Sequence, residues 1–287
     1  MHVSELFKKD KQVISFEIFP PKRDLALKNI DDTLGILSDL NPDFISVTFG
    51  AGGSVTNSAT VDIAKKIKHK YNTAAVAHLT CLNYTKEEIL SIIRELEDNG
   101  IENILALRGD RSDQYEPKND FKYAQELVRF VKANSNLGIS GACYPECHQE
   151  SKSRVDDIIH LKEKVDSGCE HLISQLFFDN SKFLNFVESA RIAGINVPIE
   201  AGVMPVINKA QIERMASLCG ATIPSKFQKI LDRYADNKDA LFDAGMAYCV
   251  NQIVDLLASG VDGIHIYTMN NPIVAQRICD DIKHIIK

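Results

Sequence analysis

Short apolar, β-branched runs alternate with longer stretches of helical spacing from one end of the chain to the other. The runs fall at 13–19, 44–49, 74–79, 104–107, 138–143, 172–177, 198–203 and 263–267, eight in all. Between them lie amphipathic stretches at 61–69, 87–98, 121–132, 155–165, 183–193 and 272–286, each long enough to cross back over a sheet and feed a parallel strand. Glycine separates helix from strand in Asn99-Gly100-Ile101, Ser167-Gly168-Cys169, Ala193-Gly194-Ile195 and Ser259-Gly260-Val261. There it stops a helix in the left-handed conformation that other residues adopt at a cost. Such repetition points to one βα unit reused. Ile104-Leu105-Ala106-Leu107 shows no polar alternation, as a strand covered on both faces should not. The gap after 203 holds three further helical stretches, at 211–218, 226–234 and 240–257, so a helical insertion is expected between strands 7 and 8. The expected fold is α/β, a single (β/α)8 TIM barrel over residues 1–287, with an open doubly wound sheet as the alternative.

Composition narrows the function classes. The balance 33 − 39 = −6 lacks the Lys/Arg surplus that a nucleic-acid binder needs. Seven cysteines without regular spacing, and no secretory leader pattern, suggest reduced thiols and a cytoplasmic location. No window approaches the roughly 18 apolar residues of a membrane span. Small-molecule chemistry is what remains.

In such a barrel, chemistry gathers at the C-terminal strand ends, where the βα loops converge. The residues at or just after the runs are Glu17, Thr48, His78, Arg108-Gly109-Asp110, Tyr144 with His148, Gln175, Pro205 and Tyr267. At the opposite ends, Asp43, Glu102 and Asp262 read as groups that cap or solvate the incoming chain. Glu17 is flanked by apolar residues in Phe16-Glu17-Ile18-Phe19-Pro20-Pro21. Desolvation disfavours a charged carboxylate, which suits Glu17 to deliver a proton; a structural ion pair or a solvent-facing glutamate is the other reading. Gly109 would let the backbone approach a ligand, Arg108 would fork onto phosphate and Asp110 would act on a cofactor ring, unless Arg108 and Asp110 simply pair to hold a loop.

Gly50-Ala51-Gly52-Gly53-Ser54 has neither the dinucleotide-binding spacing nor a Lys-Ser/Thr ending, so it reads as an active-site loop. Cys143, Cys147 and His148 lack the second pair that a zinc site requires, and no metal is expected. No lysine stands at a strand end as in a Schiff-base aldolase. His78 reads equally as a site residue or a core histidine, whereas His69, His171 and His284 read as solvated. The Gln175 amide offers a donor and an acceptor to a heterocycle, or makes a structural hydrogen bond.

Taken in order, Ser15-Phe16-Glu17-Ile18-Phe19-Pro20-Pro21, Ser46-Val47-Thr48-Phe49-Gly50-Ala51, His78-Leu79-Thr80-Cys81, Ala106-Leu107-Arg108-Gly109-Asp110, Tyr144-Pro145-Glu146-Cys147-His148, Gln175-Leu176-Phe177-Phe178-Asp179 and His265-Ile266-Tyr267-Thr268 resemble methylenetetrahydrofolate reductases over nearly the whole chain. The length is similar to the bacterial catalytic-domain form. The resemblance implies an FAD-containing barrel that reduces 5,10-methylenetetrahydrofolate to 5-methyltetrahydrofolate, within one-carbon and methionine metabolism. In that family a nicotinamide, NADH or NADPH, gives hydride to FAD and leaves. The folate then takes its place and receives the hydride.

By the same resemblance Glu17 is the general acid, Asp110 lies near flavin and pterin, and Gln175 and Gln211 contact folate or nicotinamide. Flavin contacts carried over by position are Thr48, Phe49, Ala51, His78, Arg108, Gly109, Asp110, Ala124, Tyr144, His148, Asp157 and Lys164. A homo-oligomer is implied, and some relatives work with a redox partner protein. Asn271 stands where many members have arginine, Met215 where one form has a stacking phenylalanine, and His160 and Glu163 differ near the flavin's adenine end. The electron donor is thereby left open. A proline-dehydrogenase-like barrel would need paired arginines at strand ends, where only Arg108 is found. A colourless pterin-binding barrel that passes on a methyl group is the non-redox alternative.

Overall fold

The computed structural model describes all residues except 9–10, 22–23, 50–56, 112–115 and 287. Eight parallel strands close into a barrel in sequence order: β1 (Val13–Ile18), β2 (Phe44–Val47), β3 (Ala74–Thr80), β4 (Asn103–Leu107), β5 (Gly138–Cys143), β6 (His171–Ser174), β7 (Ile199–Val203) and β8 (Gly263–Tyr267). The first and last strands pair, with Ser15 opposite His265 and Glu17 opposite Tyr267, which excludes an open sheet. All eight expected runs became strands. All four glycine junctions take positive φ: +69° at Gly100, +120° at Gly168, +79° at Gly194 and +77° at Gly260.

The helices are α1 (Asp24–Asp39), α2 (Asn57–Lys65), α3 (Lys86–Asp98), α4 (Ala124–Asn134), α5 (Arg154–Asp166), α6 (Asn180–Ile192), α7 (Lys209–Cys219), α8 (Ser225–Tyr234), α9 (Lys238–Ala258) and α10 (Pro272–Ile282). The expected insertion is present as α7 and α8. There Phe227 and Leu231, four apart on one face of α8, bury against Phe178, Val206, Ile212 and Leu241 in a satellite cluster. Helix α1 was not marked by the apolar spacing. Ile30, Leu34 and Leu37 do bury at helical intervals, but Asp31, Asp32, Thr33 and Gly35 between them dilute the pattern. Among the described residues no helix is long and apolar enough to cross a membrane.

Strand parity sorts the barrel's two faces. Ile14, Phe16 and Ile18 of β1 join the main core with the surrounding helices. Val13, on the other face, packs with Phe44, Val76, Leu105 and Ile173 at the N-terminal end, where Val3 and Leu6 of a 3₁₀ turn (Val3–Lys8) close the barrel. The strand-start carboxylates are structural, as expected. Asp43 accepts from the Ile14 N–H at 3.0 Å, Asp262 accepts from the Ile199 N–H at 2.8 Å, and Glu102 pairs with Lys68.

Candidate active site

Glu17 comes third on the inward face of β1, after Val13 and Ser15, and stands at the mouth with its side chain 20% exposed. Its backbone carbonyl accepts from the Thr268 hydroxyl at 2.7 Å, and the Asn270 amide clamps both backbone groups of Phe19. Met269 and Asn270 adopt positive φ, 53° and 56°, so the turn after β8 is bent to make this clamp. Glu17 Oε2 lies 3.4 Å from His78 Nε2 and 3.7 Å from His265 Nε2. Burial pushes His78 down to about 4, against the smaller opposing effect of Glu17. Near neutrality that imidazole is uncharged, so the contact is not an ion pair. The Glu17 carboxyl is thus only partly open to solvent, and its close partners are imidazoles rather than a fixed cation.

Tyr267 covers the next part of the mouth. Its hydroxyl donates to the Ser174 carbonyl at 2.7 Å, and burial pushes its phenol well above the usual range. Gly202 makes this placement feasible, because a Cβ there would stand 2.2 Å from the Ser174 oxygen and 2.9 Å from the Tyr267 ring. Gln175 accepts from the Leu176 N–H through its own Oε1 at 2.8 Å, so its amide NH2 is the group left to offer a ligand.

The β4 and β5 ends form a second sector. Gly109 takes φ +87°, and Asp110 beyond it is exposed at the mouth. Arg108 does not pair with Asp110; it forks onto Glu150, at 2.5 and 2.8 Å, and holds that carboxyl down to about 2. The Tyr144 ring meets His148 edge-on at 4.6 Å. The Glu150 N–H donates to His148 Nδ1 at 3.1 Å, which leaves that ring's proton on Nε2. Burial, followed by the Arg108 charge, lowers the His148 value. Lys164 reaches from α5 to the Ala142 carbonyl, and burial lowers its ammonium. Asp157 accepts from Ser151 at 2.8 Å. A groove of about 490 Å³ runs between α5 and α6, lined by Tyr144, Cys147, Arg154, Asp157, Ile158 and Phe186 among others.

The remaining expected residues are placed less closely. Thr48 and Phe49 follow β2 directly, the latter edge-on to Tyr84 at 5.7 Å, and Ala124 opens α4. Ala51 and the glycine-rich loop lie outside the described residues. Gln211 is in the first turn of α7, whose last carbonyls accept from the Gln149 amide and so tie that helix to the β5 loop. At the end of α7 burial pushes the Cys219 thiol up to about 11, with Asp110 and then Glu17 adding to the rise. Met215 packs into the satellite cluster. Asn271 caps α10, accepting from the Ile273 N–H at 3.2 Å.

One expectation is overturned. His171 is not solvated: it is fully buried in the barrel, 2.9 Å from Ser140 Oγ and 3.0 Å from Glu200 Oε2. Glu200 itself escaped notice because it interrupts a short apolar run by a single residue. The usable signal was parity, since Ser15, His171, Glu200 and His265 all fall on inward positions of their strands.

The sequence model of the family described as methylenetetrahydrofolate reductase matches residues 2–283. The chain belongs to that family. The 5,10-methylenetetrahydrofolate reductase of Escherichia coli is 36% identical over 269 residues, which cover 93% of this chain and 89% of that protein. Methylenetetrahydrofolate reductase (NADH) 1 of Arabidopsis thaliana is 33% identical over 283 residues, and the chain spans about half of its length, 48%. Among solved structures, a Clostridium thermocellum protein that binds two copies of 5-methyl-5,6,7,8-tetrahydrofolic acid superimposes with a TM-score of 0.71 over 99% of this chain and 100% of that one. At 16% identity that likeness speaks for the barrel alone. Tryptophan synthase of Mycobacterium tuberculosis, with a TM-score of 0.55 and 10% identity, does likewise.

Proposed function

We propose that this chain reduces 5,10-methylenetetrahydrofolate to 5-methyltetrahydrofolate, with electrons from NADH or NADPH passing through bound FAD in two successive half-reactions at one mouth. Membership of the family supports the reaction. The observation that carries its mechanism is Glu17, an inward-facing carboxyl at the mouth whose close partners are two imidazoles.

The residues present fit FAD. The Arg108 fork already grips a carboxylate, the geometry that also suits phosphate. The groove beside Tyr144 and Asp157 offers an apolar wall with polar points, and Lys164 stands behind it. Arg108 and Lys164 would hold charged or polar parts of FAD, Tyr144 an aromatic face, and Thr48, Phe49, Ala51, His78, Gly109, Ala124 and His148 the remainder. When bound, FAD supplies a carrier that accepts hydride from the nicotinamide and later gives it up to the folate. Glu17 delivers a proton to the departing ring nitrogen of the folate; the five-membered ring opens, and the methylene carbon is left as an electrophilic iminium. Asp110 orients the pterin. The Gln175 amide and Gln211 bind folate or nicotinamide in turn. Asn271, a neutral amide whose oxygen caps α10, brings no cation to the folate.

We read residues 1–287 as one catalytic unit that assembles as a homo-oligomer, with a redox protein as the alternative donor. The purified protein should show the visible absorption of bound flavin, bleached anaerobically by NADH or NADPH. A colourless protein that takes up no FAD would sink this reading.

A further inference from the structure

Beneath Glu17 the barrel holds a second carboxylate that the reaction above does not use. Glu200 on β7 is fully buried, where barrels of this kind are filled by branched apolar side chains. Room for it comes from Gly263, at which a Cβ would stand 2.9 Å from Glu200 Cγ. Burying a carboxylate is costly unless its oxygens are satisfied. Here they are divided. Oε1 accepts from the Ser15 hydroxyl at 2.8 Å, and Oε2 is 3.0 Å from His171 Nε2, a pairing off the line of a hydrogen bond. Ser15 Oγ is in turn 2.6 Å from His265 Nδ1, and His265 Nε2 faces Glu17 at 3.7 Å without a hydrogen bond of its own.

The direction of these bonds follows from counting protons. A serine hydroxyl has one, and Ser15 gives it to Glu200. Ser15 Oγ is then an acceptor toward His265, so His265 Nδ1 carries the N–H. A neutral imidazole protonated at Nδ1 has a bare Nε2. We propose that Glu200 is a positioning residue for the proton-delivering step: through Ser15 it locks His265 as the Nδ1–H tautomer, so that a lone pair meets Glu17 and accepts from its protonated carboxyl. Without the lock, His265 can turn an Nε2–H toward Glu17 and pair with the ionised carboxylate instead. This inference rests on the reading of Glu17 as the acid.

The other groups facing Glu17 do not perform this task. His78 from β3 is neutral, the Tyr267 hydroxyl from β8 is committed to Ser174, and Cys219 from α7 keeps its proton; Asp110 lies further out at the mouth. Glu200 is faced by Ser15 and His171, and the two imidazoles are held in place by Phe7 stacked on His171 at 4.7 Å and Phe44 stacked on His265 at 6.0 Å.

The test is ¹⁵N-histidine NMR of the full-length flavoprotein, with its Glu200→Gln and Ser15→Ala variants, alongside the rates of the two half-reactions across pH. The amide NH2 brought in by Glu200→Gln would let Ser15 reverse its bond, and Ser15→Ala removes the link while leaving the Glu200–His171 pair intact. The expected result is an Nδ1–H His265 in the parent and a gain of Nε2–H in both variants. Folate reduction should slow about tenfold, part of the roughly 10²–10⁴ that a positioned acid supplies, and its pH profile should change shape while flavin reduction by the donor does not move. If Glu200→Gln fails to fold, Ser15→Ala decides alone. An Nε2–H or cationic His265 in the parent, or an unchanged tautomer in the variants, would overturn the lock. A locked His265 in a protein that never reduces folate would instead overturn the function proposed above.

Discussion

At the N-terminal end of the barrel, Asp43, Asp262 and Asn103 give their oxygens to the backbone N–H groups of Ile14, Ile199 and Val3. At the C-terminal end Glu17 faces imidazoles and solvent, and Asp110 is exposed. The backbone divides in the same way. Among the described residues, the non-glycine positions at positive φ around the N-terminal end are Asn41 and Asn72, a residue type that tolerates it, whereas the mouth side bends Cys147 and Met269 into that region besides Asn119 and Asn270. Side chains that satisfy the backbone hold the barrel closed. Those left unspent, on a backbone held under strain, are available for chemistry.

Variants at the two ends should therefore fail differently. The largest effect is expected from Glu17→Gln, which should slow folate reduction by roughly 10²–10⁴ while flavin content and its reduction by the donor stay as they are. Normal folate turnover in that variant would remove the acid role and blur the contrast between the ends. At the floor, Leu105→Ala opens a cavity in the closing cluster and should lower the unfolding free energy by about 2–5 kcal/mol in urea titrations. The folded fraction should keep its flavin spectrum.

Acid offers a third probe, because His78 is a mouth residue that burial holds neutral. Its folded-state value near 4 lies below the ordinary 6.5, so the unfolded chain takes up a proton first as pH falls. Stability should therefore decline from pH 6.5 to about 4, by on the order of 3 kcal/mol, and level off below. In His78→Asn that slope should shrink; an unchanged slope would mean that the imidazole is not held neutral. The smallest effect is expected at Asp262→Ala, which orphans the Ile199 N–H at the floor. It should cost about 1–3 kcal/mol of stability and leave both half-reactions alone.

Much of this was legible in the order of residues. Strand runs and glycine stops are local features, so the eight strands and the insertion could be read from windows of a few residues. Glu17, Arg108-Gly109-Asp110 and Tyr144 were found because the barrel rule sends attention to strand ends. Strand parity marks the polar interior as inward-facing, but which of its residues meet was not legible. Ser15, Ser140, His171, Glu200 and His265 come from five strands, and only closure of β1 onto β8 brings Ser15 to His265. Likewise Arg108 finds its partner in Glu150, 42 residues away, rather than in the nearby Asp110. Contacts made by closure or by loops leave no periodic trace.

The central claim is that this mouth moves a hydride onto a folate. It is tested most directly by mixing the donor-reduced protein anaerobically with 5,10-methylenetetrahydrofolate in a single turnover. The flavin absorption should return together with one equivalent of 5-methyltetrahydrofolate per flavin. Flavin that stays reduced in the presence of excess folate, with no methyl product, would contradict the account.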